Sequence, residues 1–209
     1  MEIFLADISK PLIDAWKNQF QSCRDVTIYH GSIFDCPTII KSKMRLAAAP
    51  LIAYVSPANS FAFMDGGIDL LYSEYFGWEL MQRLQALLAQ EYDGELLVGQ
   101  AEIIDTRHPE ISHLISAPTM RIPETLVDNV NAYLATRAAL RIAKKENMQA
   151  VVFPGMGTGI GRLAPRICAA QMQAAYNEVI LNQKPKIRTL AGAVQYHYGL
   201  AGGQIIHLT

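Results

Sequence analysis

Compact apolar runs alternating with helix-length amphipathic stretches predict an α/β fold on a mostly parallel sheet. Residues 51–55, 113–117 and 150–153 are short, nearly continuous in apolar character and free of internal Gly or Pro. Strands buried on both faces read this way, whereas half-exposed strands alternate. The helical candidates between them place helices on both faces of the sheet.

Taken in order, residues 2–6 form a first strand. Residues 12–20 form a helix that starts near Ser9, an N-cap type, with Pro11 in its first turn. A second strand spans 26–29. Residues 31–50 read as irregular, with Pro37 inside and Lys41, Lys43 and Arg45 on a solvated loop. Residues 70–90 read as one helix, followed by Gly94, and 96–105 as a longer mixed strand. Leu126, Val130, Tyr133, Leu134, Ala138 and Ile142 recur at helical spacing in a helix over 124–146. Cys168, Met172, Ala175, Tyr176 and Val179 do the same over 165–182, and 205–208 supply a last strand. With no repeat, low-complexity tract or linker, the expectation is a single domain over 1–209.

Composition narrows the function. Hydrophobic residues make up 51% and charged residues 18%, so the chain can bury a full core. Lys and Arg number 18 against 19 Asp and Glu, a net charge of -1. That balance argues against direct nucleic-acid or anionic-membrane binding, which draws on a basic excess. Cys23, Cys36 and Cys168 are widely spaced and show no metal-ligand pattern, so reduced structural thiols and no metal are expected. No apolar run approaches the roughly 20 residues of a membrane span, and the first residues do not resemble a signal peptide. The expectation is a cytoplasmic protein with no resident cofactor.

Ligands of open α/β sheets bind beyond the carboxyl ends of the strands. Three unusual segments fall there. After residues 51–55 come Ser56, Pro57, Ala58 and Asn59, then Asp65, Gly66, Gly67, Ile68 and Asp69 at the start of a helix. After 113–117 comes Pro118. After 150–153 come Pro154, Gly155, Met156, Gly157, Thr158, Gly159, Ile160 and Gly161, with Arg162 leading toward another helix. Alternating glycines let successive N–H groups face one concavity, and a helix N-terminus nearby favours an anion. Each charge-assisted N–H bond to phosphate contributes roughly 1.5–3 kcal/mol. The Walker pattern is absent, because Gly161 is followed by Arg162 and Leu163. The strict alternation and late position also exclude the Rossmann fingerprint. By themselves Asp69 suits either a helix-dipole partner or a water-orienting base, and Asn59 either a turn residue or a sugar ligand.

Together, Ser56–Asn59, Gly66–Asp69 and the glycine loop resemble the macro domain family of ADP-ribose binders and hydrolases. Gly77, the Gly99-Gln100-Ala101 step, the run from His113 to Pro118 and the Thr158-Gly159 step extend the likeness over about residues 26–180. The resemblance implies a three-layer α/β/α fold with a mixed, mostly parallel sheet, holding ADP-ribose at the carboxyl edge. Pro154 to Gly161 would wrap the diphosphate, with Gly66, Gly67 and Ile68 opposite. Ala58 and Asn59 would meet the distal ribose, and Ser32 and Ile33 the base. Asn59 and Asp69 would act in hydrolysis of an ADP-ribosyl bond. Two positions depart from the family pattern: Ser32 replaces an aspartate, and Ser56-Pro57 replaces asparagine-alanine. The tail aromatics Tyr196, His197 and Tyr198 are candidates to stack on the base. The expected partner is ADP-ribose or an ADP-ribosylated substrate. A non-catalytic reader and a phage-tail-associated structural or assembly protein stand as alternatives.

Overall fold

The computed structural model describes residues 1–44 and 51–202. Six strands are β1 (Glu2–Asp7), β2 (Val26–His30), β3 (Ile52–Ser56), β4 (Glu102–Asp105), β5 (His113–Ser116) and β6 (Ala150–Phe153). They form one sheet in the order β2-β1-β6-β3-β5-β4. All neighbours are parallel except β4 and β5. The carboxyl ends of β1, β2, β3, β5 and β6 therefore share one edge.

Period-two alternation divides the core. Ile3, Leu5, Ala53, Val55, Val151 and Phe153 face α1 (Lys10–Gln19), α5 (Asn131–Lys145) and α6 (Pro165–Val179). Phe4, Ala6, Ile52, Tyr54, Ala150 and Val152 face α2 (Cys36–Met44), α3 (Gly67–Phe76) and α4 (Glu79–Glu91). The result is the expected three-layer α/β/α arrangement. Each fully buried aliphatic or aromatic side chain contributes about 1.5–3 kcal/mol relative to exposure. Continuous apolar runs in the central strands are thus a direct record of a sheet covered twice.

Several boundaries differ from the sequence expectation. The helix expected over 70–90 is two helices, α3 and α4, separated at Gly77, whose φ of 91° leaves the helical region. Periodicity continues across that break and conceals it. The helix expected over 124–146 begins only at Asn131, because Leu126 turns back to pack on the glycine loop. Of the mixed strand over 96–105, only Glu102–Asp105 pairs as β4; Gly99 at φ 97° turns the chain before it. The stretch expected to be irregular contains a 3₁₀ turn, Ile33–Asp35, and α2. Lys41 and Lys43 lie on that helix and pair with Glu110 and Glu2. Arg45 and the strand expected over 205–208 lie outside the described residues. A further helix, α7 (Leu190–Ala201), packs against α6 and has no counterpart in the sequence expectation. Among the described residues, no helix is long and apolar enough to cross a membrane.

Candidate functional site

A cavity of about 670 Å³ opens at the carboxyl edge, above β6 and its neighbours. Its wall includes Ser32, Ile33, Ala58, Asn59, Gly66, Gly67, Ile68, Asp69, Pro154 and Gly155, and every residue from Gly157 to Gly161. Met156, expected among them, is fully buried in the core beneath the loop and is not on the wall. Its position is set by apolar packing rather than by the ligand space.

The late loop is held from three sides. Gly155 N donates to Asp7 Oδ2 at 3.2 Å, while Asp7 Oδ1 accepts from Ser9 N at 2.8 Å. Leu163 N donates to Gly157 O at 3.0 Å and Arg162 N to Gly159 O at 3.0 Å. Leu126 N donates to Gly161 O at 2.7 Å, and the Leu126 side chain fills the space beside Gly157 and Gly161. The N–H groups of Gly157, Thr158, Gly159, Ile160 and Gly161 donate to no protein group among the described residues. Five consecutive unmatched donors in one loop are the chemistry that an anion cradle needs. A methyl group on Gly66 would lie 3.8 Å from Ile160 Cδ1, so the two glycine loops face each other across a narrow gap.

Asp69 is the third residue of α3 and 7% exposed. The buried hydroxyl of Ser56 donates to its Oδ1. Burial pushes the Asp69 carboxyl up to about 7, and the Ser56 bond opposes that rise by favouring the charged form. Near neutrality the group therefore exists in both states, which suits proton transfer or the orientation of water. Asn59 also reaches the wall, but its amide serves its own loop. Oδ1 accepts from Phe61 N and Phe63 N at 3.1 and 3.3 Å, and Nδ2 donates to Phe63 O at 2.9 Å. One amide proton remains for a ligand.

At the other end, Ser32 Oγ accepts from Phe34 N at 3.3 Å, capping the 3₁₀ turn. Its hydroxyl proton and a second lone pair remain, so this position offers an uncharged donor and acceptor where a carboxylate would only accept. Phe34 also lines the cavity and stacks on Tyr75 with centroids 4.4 Å apart. The tail aromatics do not reach this space. Tyr196 meets Tyr133 edge-on at 6.1 Å, and with His197 it lines a separate cleft between α5 and α7. Tyr198 contacts His197. Helix α7 docks on the α6 side of the sheet, and this carries those rings away from the cavity.

Sequence reasoning passed over Asp7, Phe34 and Arg162, all on the wall. Asp7 closes the first apolar run, so the strand-end rule could have found it. The sequence offers Arg162 only as the residue that breaks a known motif and leads toward a helix; among the described residues it is the one Lys or Arg on the cavity wall, and it is exposed. Its φ of 51° fixes the backbone as it leaves the loop.

Comparison with known proteins fits this geometry. Residues 55–172 match the Macro domain family profile. An uncharacterised protein of Aquifex aeolicus is 32% identical over 134 residues, 64% of this chain and 76% of the relative. One from Aeropyrum pernix is 31% identical over 132 residues, 63% of this chain and 66% of the relative. Among solved structures, the macrodomain of Mycobacterium tuberculosis DarG superposes with a TM-score of 0.53 at 21% identity, covering 64% of this chain and 85% of that one. A glycine-to-valine variant of the Oceanobacillus iheyensis macrodomain with ADPR gives 0.51 at 19% identity, covering 72% and 82%. The same macrodomain with ADP gives 0.51 at 20%, covering 72% and 80%. The matched segment begins inside β3, so β1, α1 and β2, which supply Asp7 and Ser9 and lead to Ser32, precede it. With over half its length matched, and the cavity lying where its strands end, the chain belongs to the macro domain family.

Proposed function

We propose that this chain binds ADP-ribose, or a closely related nucleotide diphosphate-sugar, and hydrolyses an ADP-ribosyl bond. One observation carries the reading: the buried Asp69 carboxyl shares a cavity with five unmatched N–H donors of the opposing glycine loop. The diphosphate takes the donors from Gly157 to Gly161, and the distal ribose extends toward Asn59 and Asp69. The base lies toward Ser32, Ile33 and Phe34. Asp69 in its charged form accepts a proton from water as the water oxygen bonds to the anomeric carbon. The ribosyl bond to the leaving group breaks, its electron pair goes to that group, and the proton taken up by Asp69 is then released to the leaving group or to solvent, which restores the charged carboxylate. Solved macrodomains carrying ADPR and ADP support the ligand class. The intended setting is cytoplasmic, with reduced thiols at Cys23, Cys36 and Cys168.

Calorimetry with ADP-ribose, AMP and NAD, followed by release assays on mono-ADP-ribosylated substrates, tests the proposal. ADP-ribose is expected to bind most tightly, and Asp69→Ala to lower turnover by about 10²–10⁴. The rate is expected to rise with pH through about 7 as Asp69 loses its proton. Turnover unaffected by Asp69→Ala would remove the carboxylate from the chemistry. A reader without turnover is the second reading, favoured by the local engagement of the Asn59 amide; binding with no release of ADP-ribose selects it. Absence of binding at millimolar ADP-ribose leaves the structural or assembly role.

A further inference from the structure

Ser56 stands where the family pattern has an asparagine, a substitution that suggests an altered ribose contact. The structure places it elsewhere. Ser56 is fully buried, is not on the cavity wall, and donates its hydroxyl proton to Asp69 Oδ1. It is the one protein hydrogen-bond partner of that carboxyl among the described residues, so Oδ2 is left to the cavity. Beside it in register on β5 is Ser116, also fully buried and on the same face of the sheet. The Ser116 hydroxyl has no hydrogen-bond partner among the described residues, so Ser56 engages Asp69 without it.

We propose that Ser56 is the positioning residue for Asp69, holding Oδ1 so that Oδ2 meets the reacting end of the ligand. The inference rests on the role assigned to Asp69 above, and it adds the hydroxyl that controls that carboxylate. A donor on a carboxylate stabilises its charged form, whereas burial favours the neutral one. Ser56 therefore also governs the pH at which the base becomes available. Tyr72 on α3 interacts with Asp69 and lies beside Tyr54 on β3 and Cys36 at the start of α2, while Asp7, Asp65 and Arg162 share the cavity wall. Burial pushes both tyrosines far above their ordinary range and Cys36 up to about 12, so none of the three changes charge near neutrality.

The test uses two readouts on the whole chain. Carboxyl-carbon NMR follows Asp69 directly in wild type, Ser56→Ala and Ser116→Ala, with no ligand present. The expected result is an upward shift of the Asp69 midpoint by about one pH unit in Ser56→Ala, a tenfold change in its ionisation. Ser116→Ala, which keeps the direct bond, leaves the midpoint in place. The acid limb of the pH–rate profile follows the Ser56→Ala shift. An unmoved midpoint in Ser56→Ala overturns the assignment, and so does a rate loss that is uniform across pH. If the wild type neither binds nor turns over ADP-ribosyl substrates, the functional reading falls, and the carboxyl titration still decides whether Ser56 controls Asp69.

Discussion

A methyl group placed on Gly157 would lie 2.6 Å from Leu126, and one on Gly161 would lie 2.5 Å from the Gly157 carbonyl oxygen. At Gly155 it would collide with Thr158 and Leu12. Across the cavity, Gly67 has nothing within 4 Å of such a group, and Gly66 has only Ile160 at 3.8 Å. Gly159, at the tip of the late loop, is as open as Gly67. The same residue type thus serves two ends. Three glycines of the late loop are required by the protein's own packing, and the glycines facing the cavity leave room for something else.

That division can be broken in order of expected effect. Leu126 is 4% exposed and wedged against Gly157 and Gly161, so Leu126→Ala is expected to lower stability by about 2–5 kcal/mol in urea denaturation. Gly157→Ala combines a φ of 74° with overpacking and is expected to cost about 2–4 kcal/mol. In the Leu126→Ala background that cost is expected to shrink toward the backbone part alone, and strict additivity would show that the wedge is not the cause. Gly159→Glu reverses the pattern. Stability is expected to stay within about 0.5 kcal/mol, while ADP-ribose affinity falls by about 100-fold in calorimetry, close to 2.7 kcal/mol. A stability loss like that of Gly157→Ala would erase the distinction between the glycines. Gly66 has an extended backbone, φ −149°, so Gly66→Ala is expected to be neutral or to stabilise by up to about 1 kcal/mol. A modest fall in affinity would mark the narrow gap to Ile160.

The glycine alternation was legible in the sequence, but its cause was only half legible. Four glycines in seven residues suggested a phosphate cradle, yet three of them answer to Leu126, Leu12, Thr158 and the loop's own backbone. Those partners are distant in sequence or depend on the folded loop, so composition could not separate the two demands. The central strands were plain because burial on both faces leaves continuous apolar sequence, as in Ala150–Phe153. The start of α5 was not, because Leu126 fits helical spacing while serving the loop instead. Asp69 was found through the family pattern, whereas its link to Ser56 depends on how α3 lies over β3. Asn59 shows the limit of pattern alone, since its amide is turned to Phe61 and Phe63.

If the cavity takes ADP-ribose as proposed, Leu126 also bears on the rate of capture. Its amide bonds to Gly161 O and its side chain packs beside Gly157 and Gly161, contacts that hold the late loop in shape without a ligand's help. Ordering a loop during association slows docking and subtracts from affinity, and a loop already set avoids both effects. Stopped-flow traces of ADP-ribose capture are expected to be single-exponential, with rates linear in ligand concentration. Loosening the wedge with Leu126→Ala is expected to add a slow phase that saturates, the signature of a loop waiting to find its shape.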